Sequence, residues 1–153
     1  MPLVNSVLVN LSIASTWPGW LTVLAKFCMQ HSNGFIKIVD DAKKRIKEVT
    51  IEMVLQKIKA KESFYLVDIR EDDEWRESRI VGAIHIGKGV IERDIEDEIS
   101  NLSASIVLYC GGGSRSALAA DALRIMGYQN VTSMTGGIRG WKSLGMPIDD
   151  SEV

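Results

Sequence analysis

The segment that most constrains the fold of this chain is residues 106–126, where an apolar run ends on a cysteine and leads through three glycines into a helix. The four apolar residues 106–109 predict a short buried strand, and Cys110 follows it directly. The residues that come next are Gly111, Gly112, Gly113, Ser114, Arg115 and Ser116. Because an alanine- and leucine-rich stretch follows them, this order predicts a strand, a tight turn and a helix.

A cysteine in such a turn is expected to be reactive. The first N–H groups of a helix have no partner within the helix and carry partial positive charge, so they bind anions. The same field stabilises a thiolate, and cysteines at such sites have pKa values lowered to roughly 3.5–7.5. Glycines let backbone N–H groups converge on an anion, and Arg115 offers a planar contact for an oxyanion. The pattern indicates attack by Cys110 on an anionic substrate.

Strand and helix signals alternate along most of the chain. The predicted strands lie within residues 64–67, 80–86, 106–109 and 131–134, and the predicted helices begin near residues 51, 71, 90, 114 and 138. This alternation predicts βαβ units, and therefore an α/β fold with a central, mostly parallel sheet that is flanked by helices. Ligands bind beyond the carboxyl ends of the strands in such sheets, and Cys110 is placed at one of these ends.

The composition narrows the class of function. A net charge of −2 gives no reason to expect nucleic acid as a partner. The two cysteines, Cys28 and Cys110, do not make a disulfide framework, and a free reactive thiol is typical of a reducing compartment, so a cytoplasmic location is predicted. His31 and His85 are isolated from each other and from the cysteines, so neither a metal site nor another cofactor is expected.

The first part of the chain differs from the rest. Residues 1–25 contain no charged side chain, and composition predicts an apolar N-terminal extension and linker over residues 1–42, followed by one domain over residues 43–153. Roughly 20 apolar residues can span a bilayer as a helix, but polar residues and Pro18 interrupt this segment. Three interpretations stay open: a docked or loosely ordered extension, a membrane anchor that leaves the catalytic domain in the cytoplasm, and a targeting segment that is removed.

Four motifs carry a family resemblance. LVDIREDDEW, IVGAIHI, YCGGGSRSALAADAL and MGYQNVTSMTGGIRGW occur in this order between residues 66 and 141. Together they resemble the rhodanese family in its single-domain form. The resemblance implies an α/β fold around a parallel sheet, and sulfurtransferase activity through a cysteine persulfide.

The resemblance also implies roles for individual residues. By position, Cys110 is similar to the persulfide-forming residue, residues 111–116 are similar to the loop that cradles it, and Arg115 is similar to the contact for the substrate anion. Asp68 and Arg70 match an Asp-x-Arg element beside the site. For this pair, an ion pair that braces the loop is favoured over a direct part in catalysis.

Two positions depart from the pattern of the family. Arg79 stands where the family often has histidine, and Val81 stands where it often has proline. Both positions are expected to be structural. Arg79 is expected to be an ordinary solvated side chain rather than an added positive charge near the site.

The expected reaction is transfer of sulfane sulfur from thiosulfate, or a similar small anionic donor, to a thiophilic acceptor such as a thiol or a small redox protein. Two alternatives remain. A cysteine-dependent phosphatase uses similar parts, but has a longer loop between cysteine and arginine than the four residues found here. A rhodanese-like binding module without catalysis would not need Cys110.

Overall fold

A five-stranded parallel sheet is the centre of the fold in the computed structural model, which describes residues 31–151. Its strands are β1 (Lys47–Val49), β2 (Tyr65–Asp68), β4 (Ile84–His85), β5 (Ser105–Tyr109) and β6 (Asn130–Met134), in the spatial order β1-β6-β5-β2-β4. All neighbours in this sheet run parallel. β3 (Arg79–Ile80) and β7 (Ile148–Asp149) form a separate antiparallel pair. The predicted α/β class with a central, mostly parallel sheet is therefore confirmed.

Helices cover both faces of this sheet. Within residues 31–151 they are α1 (Asn33–Lys43), α2 (Ile51–Lys59), α3 (Asp72–Glu77), α4 (Ile91–Glu98), α5 (Ser114–Ile125) and α6 (Gly137–Ser143). Side chains of α4 and α5 pack in the core on one face, and side chains of α2 and α6 pack on the other. A sheet that is covered on both faces needs strands that are apolar throughout, which explains the short apolar runs in the sequence.

Strand β5 shows this arrangement most clearly. Ile106 and Leu108 belong to the core on the α5 face, whereas Val107 and Tyr109 belong to the core on the α6 face. Successive side chains of a strand point to opposite faces, so all four are buried. Cys110 is thus the first residue beyond a strand that is fixed from both sides.

The segment for which composition predicted a linker contains a helix. α1 packs against α5, and Val39 and Ala42 of α1 are buried. The Arg45 guanidinium, just beyond α1, donates to the Asp121 carboxylate of α5 at 2.7 Å. The compact unit accordingly runs from Asn33 to Val153. The shift from uncharged to charged residues therefore does not coincide with the start of this unit.

The predictions for the N-terminal extension lie largely outside the described residues. Residues 1–25 and Cys28 are among these, so the three interpretations of the apolar segment stay predictions. Within residues 31–151, the helices are too short or too polar to cross a bilayer.

Arg79 is buried, so the expectation of a solvated side chain was wrong. Its Nη2 lies 2.7 Å from the Asp149 carboxylate and donates to the backbone oxygen of Ser151 at 3.2 Å. Its guanidinium also lies over the Trp75 ring, 5.1 Å from the centroid. Arg79 therefore ties β3 to β7, a contact that local sequence does not reveal.

Candidate active site

The connections of the sheet place the candidate site between β2 and β5. These two strands are neighbours, but the chain continues from β2 to β4 on one side and from β5 to β6 on the other. A crevice forms outside the carboxyl ends of strands where connections diverge in this way. Asp68 ends β2 and Cys110 follows β5. The structure therefore brings these sequence-predicted residues to the same edge of the sheet.

The Cys110 thiol lies inside the turn that joins β5 to α5. The residue is only 1% exposed. The Gly113 N–H donates to Sγ at 3.1 Å, and Ser116 Oγ lies 3.6 Å from Sγ. Ser116 Oγ in turn lies 2.8 Å from the hydroxyl of Ser133, a buried residue of β6. A network of hydroxyl and N–H groups thus surrounds the sulfur, and it includes Ser133, to which the sequence analysis gave no role.

These contacts lower the pKa of the Cys110 thiol. Burial alone raises this pKa, because it disfavours the charged thiolate. Hydrogen bonds from the backbone and hydroxyl of Ser116, and from the N–H groups of Gly113 and Gly112, outweigh burial. The net pKa is below the ordinary thiol value, so the geometry favours a nucleophilic form of Cys110.

We expect the Cys110 thiol to ionise with a midpoint at lower pH than an ordinary cysteine thiol, because hydrogen bonds to the sulfur lower its pKa. Since the folded protein stabilises the thiolate, the charged form persists to lower pH than in a free cysteine. The ultraviolet absorbance of the thiolate, followed against pH in the Cys28→Ser protein with the Cys28→Ser/Cys110→Ser protein as the blank, measures this midpoint. The Ser116→Ala variant should move the midpoint upward, because it loses one hydroxyl contact. A wild-type midpoint at or above the ordinary value would contradict the geometric account.

Asp68 and Arg70 form a buried ion pair beside the turn. The Arg70 Nη2 donates to the Asp68 carboxylate at 2.6 Å and to the backbone oxygen of Ser78 at 2.6 Å. Asp68 lies in register with Tyr109, the residue before Cys110. The pair therefore fixes the loop after β2 against the strand that carries the cysteine, which agrees with a bracing role.

Arg115 is held by a carboxylate of α3. Its Nη1 and Nη2 donate to the two carboxylate oxygens of Glu74, at 2.6 and 2.9 Å. This contact lowers the pKa of the Glu74 carboxyl, so Glu74 is ionised at neutral pH. Sequence reasoning missed Glu74, although an acidic turn after β2 and an arginine after the adjacent β5 are complementary in charge. The donor edge that a substrate anion would need is occupied by Glu74 in this structure.

Two residues at the start of α6 also contact the turn, and sequence reasoning gave neither a role in the site. The N–H groups of Ile138 and Arg139 donate to the carbonyl oxygens of Cys110 and Gly111, at 2.9 and 3.1 Å. Gly137 permits this approach: its φ is +53°, and a Cβ there would overlap the Cys110 carbonyl oxygen. The sequence signal that could have indicated these contacts is the pair Gly136 and Gly137 after β6, because β6 lies beside β5 in the sheet.

The family follows from a comparison with known proteins. Residues 50–144 match the model of the rhodanese-like domain, which is more than half of the chain. This chain belongs to the rhodanese-like family. The matched range includes every residue of the turn, the Asp68 and Arg70 pair, Glu74 and Arg139.

Relatives of this rhodanese-like chain are named for sulfur chemistry. Thiosulfate sulfurtransferase GlpE of Haemophilus influenzae (strain PittEE) is 31% identical over 103 residues, which cover 67% of this chain and 94% of GlpE. YtwF of Bacillus subtilis (strain 168), provisionally named a sulfurtransferase, is 34% identical over 63% of this chain and 91% of YtwF. YrkF of the same strain, provisionally named a sulfur carrier protein, is 31% identical, and this chain spans about half, 51%, of its length. These relatives support a sulfurtransferase as the kind of enzyme.

Solved structures agree on the rhodanese-like fold. RPA3614 from Rhodopseudomonas palustris CGA009 is described as a protein of unknown function and a possible tyrosine phosphatase. It superposes with a TM-score of 0.67 at 30% identity, over 78% of this chain and 97% of that chain. The rhodanese-like domain of Alr3790 from Anabaena superposes with a TM-score of 0.62 at 22% identity, over 68% of this chain and 79% of that chain. At 22% identity, the match to Alr3790 supports the fold alone.

Proposed function

We propose that this protein is a sulfurtransferase that takes sulfane sulfur from thiosulfate, or a similar small anionic donor, and carries it as a persulfide on Cys110. The observation that carries the proposal is the buried Cys110 Sγ within a turn of N–H donors that lower its pKa. Relatives named as sulfurtransferases support the same class of reaction.

The first half-reaction is a displacement at sulfur. The Cys110 thiolate attacks the outer sulfur of thiosulfate, and a new sulfur–sulfur bond forms. The sulfur–sulfur bond of thiosulfate breaks, and its electron pair leaves with sulfite. The terminal sulfur of the persulfide keeps the negative charge that it carries in thiosulfate, and sulfite leaves as a dianion. No general base is needed when the thiol is already ionised.

The second half-reaction returns the enzyme to its starting state. An acceptor nucleophile, such as the thiolate of a thiol or of a small redox protein, attacks the terminal sulfur. The persulfide bond breaks, the acceptor gains the sulfur, and its electron pair returns to Cys110 as thiolate. No oxidant, reductant or cofactor takes part. Since a free reactive thiol persists in a reducing compartment, we place this reaction in the cytoplasm.

Phosphoester hydrolysis is the weaker assignment. A cysteine-dependent phosphatase needs a general acid that protonates the leaving alcohol. Glu74 is the carboxyl group bound to Arg115, and its lowered pKa keeps it without a proton at neutral pH. Only four residues separate Cys110 from Arg115, so the turn is small for a phosphoryl group. A binding module without catalysis would have no use for an activated Cys110.

Initial-rate kinetics test the proposed function. Reciprocal plots at several concentrations of thiosulfate and cyanide should give parallel lines, because sulfite leaves before the acceptor reacts. Hydrolysis of an aryl phosphate is measured on the same sample as the matched comparison. Intersecting lines, or turnover of the phosphate faster than that of thiosulfate, would overturn the proposal.

A further inference from the structure

Two guanidinium groups converge beside the first residue of the turn. The position that a Cβ of Gly111 would occupy lies 3.1 Å from Arg139 Nη1 and 3.3 Å from Arg115 Nη2. Two positive groups that lie close to the same point repel each other, so their convergence is more favourable when an anion lies close to both. Glu74 supplies such an anion for Arg115. The place where they converge adjoins Cys110 in the chain, so an anionic group of a substrate held there would lie beside the nucleophile.

The position of Arg139 is fixed by the backbone. Its N–H donates to the Gly111 carbonyl oxygen at 3.1 Å, and its own carbonyl oxygen accepts the Ser143 hydroxyl at 2.8 Å. The guanidinium lies across Gly112, where a Cβ would overlap its Nη2. A side chain at position 112 would therefore have to share this space with the flexible end of Arg139.

The two arginines differ in how they could receive a substrate. Both terminal nitrogens of Arg115 are bound to Glu74, and its side chain is only 28% exposed. An anion would have to displace a bidentate carboxylate, which is a strong charge-assisted contact. Arg139, by contrast, is an exposed residue of α6. An incoming anion can therefore reach Arg139 without displacing Glu74.

We propose that Arg139 is the residue that selects sulfur donors with a small oxyanion group, whereas the Arg115–Glu74 pair positions the turn. This inference rests on the proposed function, sulfur transfer through Cys110. The Arg139 guanidinium contacts the sulfonate end of thiosulfate while the outer sulfur approaches the Cys110 Sγ. A donor without a charged group cannot make this contact.

Kinetics of full-length variants test the selection. Arg139→Gln should raise KM for thiosulfate about tenfold, as expected when one charge-assisted contact of about 1.4 kcal/mol is lost, with a smaller change in kcat. Dimethyl trisulfide is a neutral donor: the Cys110 thiolate attacks its central sulfur and releases methanethiolate, which then removes the remaining methylthio group as dimethyl disulfide and leaves the persulfide on Cys110. Persulfide formation from this donor should stay within about twofold of wild type, since it lacks the sulfonate. Arg139→Lys should recover part of the affinity for thiosulfate, because an ammonium keeps the charge but loses the planar fork.

A matched control removes the same charge elsewhere. Arg93 of α4 has a side chain that is 76% exposed, and it pairs with the adjacent Asp94. Arg93→Gln should leave KM for thiosulfate unchanged. If Arg139→Gln behaves like Arg93→Gln, the inference is overturned. An equal loss with thiosulfate and with the neutral donor would overturn it as well, since this result would mean that Arg139 only supports the turn.

A binding measurement separates this inference from the proposed function. Titration of the wild-type protein with sulfate should shift the amide resonances of Gly111 and Gly112, and Arg139→Gln should weaken the fitted affinity for sulfate. If wild type forms no persulfide with either donor, the proposed function fails, while the sulfate titration still decides whether Arg139 holds an oxyanion. Equal sulfate affinities in wild type and Arg139→Gln would overturn the inference even if sulfur transfer is demonstrated.

Discussion

Cys110→Ser is expected to abolish sulfur transfer and to leave the fold intact. A serine hydroxyl stays protonated at neutral pH and cannot form a persulfide, so turnover of thiosulfate with cyanide should fall by at least about a thousandfold. The fold should tolerate the change, because a hydroxyl can take over the contacts with Gly113 and Ser116. We expect a change of about 1 kcal/mol in the free energy of unfolding. Turnover and a thermal melt of the same sample measure both effects.

Cys28→Ser is the matched control, since it makes the same change at the other cysteine of the chain. Its turnover should stay close to wild type. Substantial residual turnover in Cys110→Ser would contradict the assignment of the nucleophile. A loss of more than about tenfold in Cys28→Ser, equal to about 1.4 kcal/mol in the barrier, would mean that Cys28 takes part.

Gly137→Ala should damage both stability and catalysis. A left-handed conformation costs a residue with a Cβ roughly 1–2 kcal/mol, and Gly137 has φ +53°. The added Cβ would also lie 2.7 Å from the carbonyl carbon and oxygen of Gly111. These are backbone atoms of the turn, which cannot rotate away as a flexible side chain can. We therefore expect a loss of about 3 kcal/mol in the free energy of unfolding.

The catalytic effect of Gly137→Ala follows from displacement of the turn. The carbonyl oxygens of Cys110 and Gly111 would lose their hydrogen bonds from the start of α6. A misplacement of about 1 Å can cost about a hundredfold in rate, so persulfide formation should slow by that order. Urea unfolding and single-turnover loading measure the two effects.

Gly89→Ala provides the comparison for this variant. A Cβ at Gly89 meets nothing within 4 Å, so the same chemical change should leave stability and loading close to wild type. If Gly137→Ala and Gly89→Ala behave alike, α6 does not hold the turn in the way that the structure indicates.

The sequence predicted those parts of the fold whose signals are local. Residues 106–109 are apolar because β5 is buried on both faces. The helix predicted to begin near residue 51 begins at Ile51, where the Thr50 hydroxyl accepts the Met53 N–H at 3.3 Å. α1 was not predicted, because the change in charge composition near Lys26 was more conspicuous than the few apolar residues that α1 buries, such as Val39 and Ala42.

The site was predictable only in part, because some of its residues are distant from the turn in sequence. Cys110 and the turn are contiguous in sequence, and their N–H donors follow from the start of α5. Glu74, Ser133 and Arg139 contact the turn from other elements. The contact Ser116–Ser133 joins residues that are 17 positions apart in sequence, and the contact Arg115–Glu74 joins residues that are 41 positions apart. Side chains that meet only through the order of strands in the sheet leave no local pattern. The local pattern for this reason predicted Arg115 as a substrate contact but did not indicate that Glu74 binds it.

The most direct test of sulfur transfer through Cys110 is the mass of the intact protein after incubation with thiosulfate and removal of the excess. The wild-type protein should gain one sulfur atom, about 32 Da, which cyanide or a thiol removes, and Cys110→Ser should gain nothing. An unchanged mass for the wild type, or the same gain in Cys110→Ser, would contradict a persulfide on Cys110.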